Sequence, residues 1–265
     1  MVINYKIVHD QKNLKQLLRI FPMIRIYEII NPTTFGALGM MTQEDKPSFI
    51  LDFTNYQGIF EEQGNQLAKI VEKISGEFGV IIGMCPPFPF LAKFQNDFDI
   101  PFFSQFHYHS GNQQSYFQNS IAFLKSLDIK GLIFNDDSIP MRDLEKNVRD
   151  SRTNRLYTLV YSQNVAISAA LSKFDPNAIV ISLPDMSPTG TPLSKIPPEM
   201  IENHVKRIRI ENSKVSVFSS FEVHEKVDIE RALELQVDGF VLDISSVSLK
   251  DPYEFLVNLV KPLKN

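Results

Sequence analysis

From Pro47 to the C-terminus, short apolar runs alternate with amphipathic stretches, and this rhythm leaves few folds open. The runs are Phe49–Phe53, Val80–Met84, Ile100–Ser104, Gly131–Phe134, Leu156–Tyr161, Ala178–Leu183, Val215–Phe218 and Phe240–Leu242. They are rich in β-branched and aromatic residues and almost unbroken by polar ones. That pattern predicts strands covered on both faces. Between them the apolar period becomes helical. Phe60, Leu67, Ile70, Val71 and Ile74 share one face, and so do Leu144, Val148 and the stem of Arg152. Ile201, Val205, Ile208 and Arg209 form another. Val227, Leu233 and Leu235 mark a seventh helix, and Phe255, Leu256, Leu259 and Val260 an eighth. Eight strand–helix units predict an α/β fold, a compact (β/α)8 barrel. An open doubly wound sheet is the structural alternative.

The first 46 residues stand outside this repeat and are read as an N-terminal extension, with the barrel over 47–265. Asp10 is placed to cap a helix through Leu14, Leu17, Leu18 and Phe21. Ile24 and Ile26 then alternate with Arg25 and Tyr27 in an extended pattern. The segment is too apolar for a solvated tail. It is expected to pack on the barrel, on another copy of the chain, or on a different protein. The partner expectation is therefore a homo- or hetero-oligomer.

A length of 265 residues can bury a large core without covalent staples. Cys85 is the only cysteine, so no disulfide framework or cysteine-rich zinc site can form within the chain. A reduced, cytoplasmic setting is the simplest. No apolar run is long enough to span a membrane. A net charge of −4 argues against a general nucleic-acid binder. The 11 glycines compare with about 18 at average usage. Phosphate-cradling turns usually need glycine, so their scarcity bears on function.

Several short motifs occur in order along the barrel. Val80-Ile-Ile-Gly-Met-Cys-Pro-Pro-Phe88 ends the second run, and Phe103-Ser-Gln105 the third. Pro188-Thr-Gly-Thr-Pro-Leu-Ser-Lys195 follows the sixth. Ala232-Leu-Glu-Leu235, Asp238-Gly239 and Lys250-Asp-Pro252 close the chain. Their order and spacing resemble triosephosphate isomerase in its short archaeal form, from about Pro47 to Leu263. The resemblance implies a TIM barrel whose site lies at the C-terminal strand ends. It also implies a mobile lid containing Thr189 and Gly190, and self-association.

The resemblance further implies a lysine after the first strand, a histidine after the fourth and a glutamate base after the sixth. Here those positions hold Thr54, Asp136 and Ser182. Threonine brings no positive charge to an oxyanion. Aspartate repels a developing enediolate. Serine with no partner base cannot take a carbon-bound proton. No catalytic residue is therefore assigned, and the chain reads as an inactive homologue serving as a structural or regulatory subunit. The family's phosphate turns correspond to Ser220-Phe-Glu222 and Asp243-Ile-Ser245. Phe221 and Ile244 are expected to fill the phosphate space, and Glu222 and Asp243 to repel a dianion. No phosphate ligand and no cofactor are expected.

The same substitutions leave an acidic mouth. Asp52, Asp136, Asp137, Asp185, Glu222 and Asp243 all map near it. One reading is a ligand site lined by Asp52, Asp136, Ser182, Thr189, Gly190, Glu222 and Asp243, with a hard cation on Asp52, Asp136 and Asp243. That site would serve an enzyme of new chemistry or a small-molecule sensor. The plainer reading is a solvated acidic rim. His107 and His109 are two residues apart and can face one ligand, but their place suggests an interface loop. Ser182 reads as a neutral lining residue, and Cys85 as a packed or partly exposed thiol in a Pro-rich turn.

Overall fold

The computed structural model describes residues 48–53, 60–106, 121–135, 139–183, 191–247 and 251–264. All belong to the unit Met41–Asn265. The expected N-terminal element, with Leu14, Leu17, Leu18 and Phe21, lies outside the described residues.

The order is β1 (Phe49–Asp52), α1 (Phe60–Phe78), β2 (Ile82–Cys85), α2 (Phe88–Asp97), β3 (Phe103–Gln105), α3 (Ile121–Ser126), β4 (Gly131–Phe134) and α4 (Met141–Thr153). It continues with β5 (Tyr157–Ser162), α5 (Val165–Ser172), β6 (Ala178–Ile181), α6 (Pro198–Glu211), β7 (Ser216–Ser219), α7 (Lys226–Glu234), β8 (Gly239–Asp243) and α8 (Pro252–Val260). The strands run in the order β2-β1-β8-β7-β6-β5-β4-β3. All pairs are parallel. β2 and β3 close the ring through a bridge between Met84 and Phe102. There Met84 N donates to the Pro101 carbonyl at 3.0 Å. This is the (β/α)8 barrel that the rhythm predicts.

Each expected run holds a strand, and the ends move for local reasons. β4 occupies Gly131–Phe134 as expected. β2 begins at Ile82 rather than Val80, because Gly79 with φ +63° is still closing α1. β3 begins at Phe103 rather than Ile100, since Pro101 has no N–H to give a ladder.

Strand alternation splits the core into two shells. Outward residues such as Leu51, Met84, Leu132, Val160, Ile179, Val217 and Leu242 meet the helices. Inward residues Ile50, Phe103, Ile133, Tyr157, Leu159, Val180, Phe218 and Val241 fill the barrel. Two rings close its lower half. A Cβ added at Gly83 would stand 2.6 Å from Phe103 Cε2, and one at Gly131 also 2.6 Å from Phe103. A Cβ at Gly239 would stand 2.6 Å from Phe218 Cζ. The glycines are the space these rings occupy.

The helix faces hold with two corrections. Leu67, Val71 and Ile74 on α1 and Ile201, Val205 and Ile208 on α6 are buried. On α4 the buried face is Leu144, Val148 and Ser151, while Arg152 points out to Asp175. On α7 the expected Val227 and Leu233 are 50 % and 40 % exposed, and Ile229, Ala232 and Asp228 face inward. Two apolar residues six positions apart do not share a helix face, whereas Ile229 and Ala232 do.

Four helices end through a non-glycine residue in the left-handed region: Asp128, Arg155, Asp175 and Gln236, with φ near +60°. Glycine is the residue of least cost there. Its scarcity is thus met by mild backbone strain. Replacing the exposed Gln236 with glycine is expected to raise stability by about 1 kcal/mol, read from the urea midpoint at constant m.

Candidate functional site

Residues two places beyond the buried inward ones project at the C-terminal end of the barrel. From Ile50, Phe103, Leu159, Val180, Phe218 and Val241, alternation leads to Asp52, Gln105, Tyr161, Ser182, Ser220 and Asp243. The register sets Asp52 opposite Cys85 on one side and opposite Asp243 on the other. Two carboxylates and a thiol thus stand on three adjacent strand ends.

Asp52 is 8 % exposed and accepts a hydrogen bond from Gln105 Nε2 at 2.9 Å. This carboxylate is held by a neutral amide from two strands away, past β2, and a hydrogen bond to the charged oxygen offsets part of its burial. Cys85 is the last residue of β2 and fully buried, not a partly exposed turn residue. Burial pushes its thiol well above the ordinary range, and the Asp52 charge adds to this. The Tyr161 phenol is pushed up too, first by burial and then by Asp52, Cys85 and Asp243. Asp52, Cys85, Tyr161 and Asp243 therefore act on one another electrostatically.

Asp243 caps its own turn. Its Oδ1 accepts from Ser245 N at 2.8 Å and from Ser245 Oγ at 2.6 Å. This opens the 3-10 helix Ile244–Ser246. Barrels often bind phosphate at the turns after the last two strands and on a short extra helix. Here a carboxylate of the chain takes one of those amides. Phe221 and Ile244, expected to fill this space, are instead buried in the outer shell against the helices. Charge and hydrogen bonding, not bulk, distinguish these turns.

Glu222 lies beyond the end of β7. Its carboxylate meets His224 Nε2 at 2.8 Å, and its carbonyl accepts from Leu193 N at 2.8 Å. A bridge between Pro192 and Glu222 joins the two loops. Asp228, 1 % exposed, secures the junction by accepting from Ser194 N, His224 N and Glu225 N at 2.9, 2.9 and 3.1 Å. Burial pushes its carboxyl up, but bonds from Ser194, His224 and Glu225 outweigh this and hold it below the usual carboxylate range. The segment following the sixth-strand loop is thereby tied down at Leu193–Lys195.

Ser182 follows β6 directly, and its N–H donates to the Ser162 carbonyl at 3.0 Å. Thr54, Asp136, Asp137, Asp185, Thr189, Gly190, His107 and His109 lie outside the described residues. Of the three proposed cation ligands, Asp52 and Asp243 are neighbours at the mouth and Asp136 is among the residues not described. Among the described residues no group of three His, Cys, Asp or Glu is arranged to hold a metal. No described helix is long and apolar enough to cross a membrane. Gln105, Cys85 and Tyr161 join the mouth; the first two lie in sequence motifs, but none is assigned to the site from sequence. Counting two residues from each inward apolar position finds Gln105 and Tyr161.

A parallel eight-stranded barrel with this site at its C-terminal end defines the class. No family model matches the chain. Among curated proteins, it is 28 % identical over 215 residues to triosephosphate isomerase of Methanocaldococcus jannaschii, covering 80 % of this chain and 98 % of that one. It is 27 % identical over 226 residues to the enzyme of Methanobrevibacter smithii, with 82 % and 99 % covered. It is 28 % identical over 225 residues to that of Methanothermus fervidus, with 82 % and 98 % covered. The chain is thus similar, over most of its length, to archaeal triosephosphate isomerases. A solved mutant flavocytochrome b2 with benzoylformate matches with a TM-score of 0.54 at 13 % identity. That match covers 82 % of this chain and spans 64 % of the other, a likeness of fold alone.

The thiolate of Cys85 is disfavoured and its access closed. Native protein at pH 8 is expected to react with a thiol reagent at least about 100-fold more slowly than protein in urea. Rapid stoichiometric labelling of the folded chain would contradict the placement of Cys85.

Proposed function

We propose that this chain is a triosephosphate-isomerase-like barrel that has lost the isomerase reaction and serves as a structural or regulatory member of a protein assembly. The observation carrying this reading is the makeup of the strand ends. The eight terminal residues are Asp52, Cys85, Gln105, Phe134, Ser162, Ile181, Ser219 and Asp243. The residues that follow are Phe53, Pro86, Phe106, Asn135, Gln163, Ser182, Ser220 and Ile244. They include two carboxylates and no lysine, arginine or histidine. A developing enediolate and a phosphate dianion both need positive charge or free donors. Asp52 and Asp243 supply the opposite sign. One oxygen of each is already bonded, Asp52 Oδ2 to Gln105 and Asp243 Oδ1 to Ser245. Ser182 stands where the family places its glutamate, and the sequence adds Thr54 and Asp136 at the other two catalytic positions.

The assembly part of the proposal rests on sequence. Residues 1–46 carry Leu14, Leu17, Leu18, Phe21, Ile24, Ile26 and Ile29, which need apolar cover. A homo- or hetero-oligomeric contact supplies it.

The reaction is tested with glyceraldehyde 3-phosphate at high protein concentration. Turnover below about 1 per second is expected, outside the ordinary enzyme range. Faster turnover overturns the loss of activity. Calorimetry with phosphoglycolate should show a Kd weaker than about 1 mM. The triple change Thr54→Lys, Asp136→His and Ser182→Glu is expected to restore little, because Asp243 still holds its turn. Deleting residues 1–44 should change the mass read by light scattering, and an unchanged mass would remove the assembly role of that segment.

A further inference from the structure

Outside the mouth, one buried polar chain is used by nothing described so far. His204 on α6 is 2 % exposed, and Ser162, Ser168 and Ser172 are fully buried. His204 Nδ1 lies 2.8 Å from Ser168 Oγ. Ser168 Oγ donates to Ser162 Oγ at 2.9 Å, and Ser162 Oγ donates to the Asn164 carbonyl at 3.2 Å. A hydroxyl has one proton to give. Ser162 spends its own on Asn164, so Ser168 must spend its own on Ser162. The ring nitrogen facing Ser168 must then be the donor. The chain runs one way, from His204 Nδ1–H through two hydroxyls to a backbone carbonyl. Nε2 is left as the basic nitrogen.

Both ends of this chain matter to the fold. Asn164 caps α5, its Oδ1 accepting from Ala166 N at 2.7 Å. Ser162 ends β5, and its carbonyl holds the N–H of Ser182 at 3.0 Å. We propose that His204 is an acid-sensing group wired through Ser168 and Ser162 to the β5–α5 corner, so that a proton taken at Nε2 keeps every bond of the chain but makes Nδ1–H a charged donor and polarises the hydroxyls that end at the backbone beside Ser182. This rests on the geometry of the α5–α6 seam and is independent of whether the barrel is an enzyme.

Among the described residues the seam holds nothing to compensate the charge. α5 reads Val-Ala-Ile-Ser-Ala-Ala-Leu-Ser and has no titratable side chain. Beyond it, Lys173 pairs with Glu211 at 3.6 Å. On α6 itself, Glu199, Glu202, Lys206 and Arg207 are exposed. Arg207 meets Glu211 at 2.8 Å, and Arg209 reaches Asp238 at 2.5 Å. On β5, Tyr157 and Tyr161 belong to the barrel interior. Burial alone pushes His204 down from 6.5 to about 4. The unfolded chain therefore binds this proton first. The stability contributed by neutral His204 is complete above pH 6.5 and declines as the pH falls towards 4. Asp228 is shifted the other way from a buried carboxyl, held below the usual carboxylate range by its hydrogen bonds.

Nuclear magnetic resonance of the full chain, titrated from pH 7 to 3.5, tests the wiring. The ring should show the Nδ1–H tautomer at neutral pH and titrate near 4, and the Ser182 and Ala166 amides should move with the same midpoint. In Ser168→Ala the ring should still titrate below 6 while the Ser182 amide stays flat. An Nε2–H tautomer, an unresponsive Ser182 in the unaltered chain, or coupling that survives Ser168→Ala would each overturn the proposal. If acid unfolds the chain too early, urea midpoints between pH 7 and 5 replace the titration. The fall in midpoint should be lost in His204→Gln, and an unchanged fall overturns the acid-sensing role.

Discussion

Everything at the mouth depends on how the barrel interior is filled. Phe103 and Phe218 lie over Gly83, Gly131 and Gly239 with no room for a Cβ. Tyr157 meets Phe103 edge-on with ring centroids 6.3 Å apart. This fixes which residue of each strand points inward, and a slip by one would turn every side chain to the opposite face. With the lower layer set, Asp52, Gln105, Tyr161, Ser182, Ser220 and Asp243 have to appear above it. The polar mouth is thus a consequence of the aromatic base.

Two carboxylates side by side in a narrow mouth would repel one another if left bare. The chain resolves this locally. Asp52 is bound by Gln105 from two strands away, and Asp243 is folded back on Ser245. In both bonds the donor is a neutral dipole. The same bonds use up donors that an incoming anion would need. At the turn where barrels often grip phosphate, Asp243 Oδ1 already accepts from Ser245 N. Asp228 is the same device in a structural role, gathering three backbone N–H groups to lock two loops together.

The barrel was legible because its signal is repeated eight times. One misplaced end, such as Val80 for Ile82, does not disturb the count. Faces were legible where apolar residues fell at helical spacing, as for Leu67, Val71 and Ile74. They were misread on α7, where Val227 and Leu233 are apolar but outward and the buried Asp228 is charged. Hydropathy cannot show that an aspartate is buried to bind three backbone amides. The mouth was half legible. Asp52, Ser182 and Asp243 followed from the family pattern. The roles of Gln105 and Tyr161 depend on cross-strand distances that motifs do not encode. Phe221 and Ile244 were assigned to the mouth by position along the chain, but the turn carries them outward.

The likeness to isomerases and the altered mouth fit together physically. In a parallel barrel, stability resides in the two apolar shells and at the N-terminal strand ends. At that end, Arg209 joins Asp238 to the Val215 carbonyl, and Asp238 also accepts from Val217 N at 2.8 Å. Thr158 and Asn177 make another reciprocal set. None of these bonds touches the mouth. Strand-end residues can therefore change chemistry without loosening the fold, provided that each new charge finds a partner. Asp52 and Asp243 have found theirs within the chain. The stabilising contacts lie elsewhere, so residues at the mouth can vary while the barrel persists.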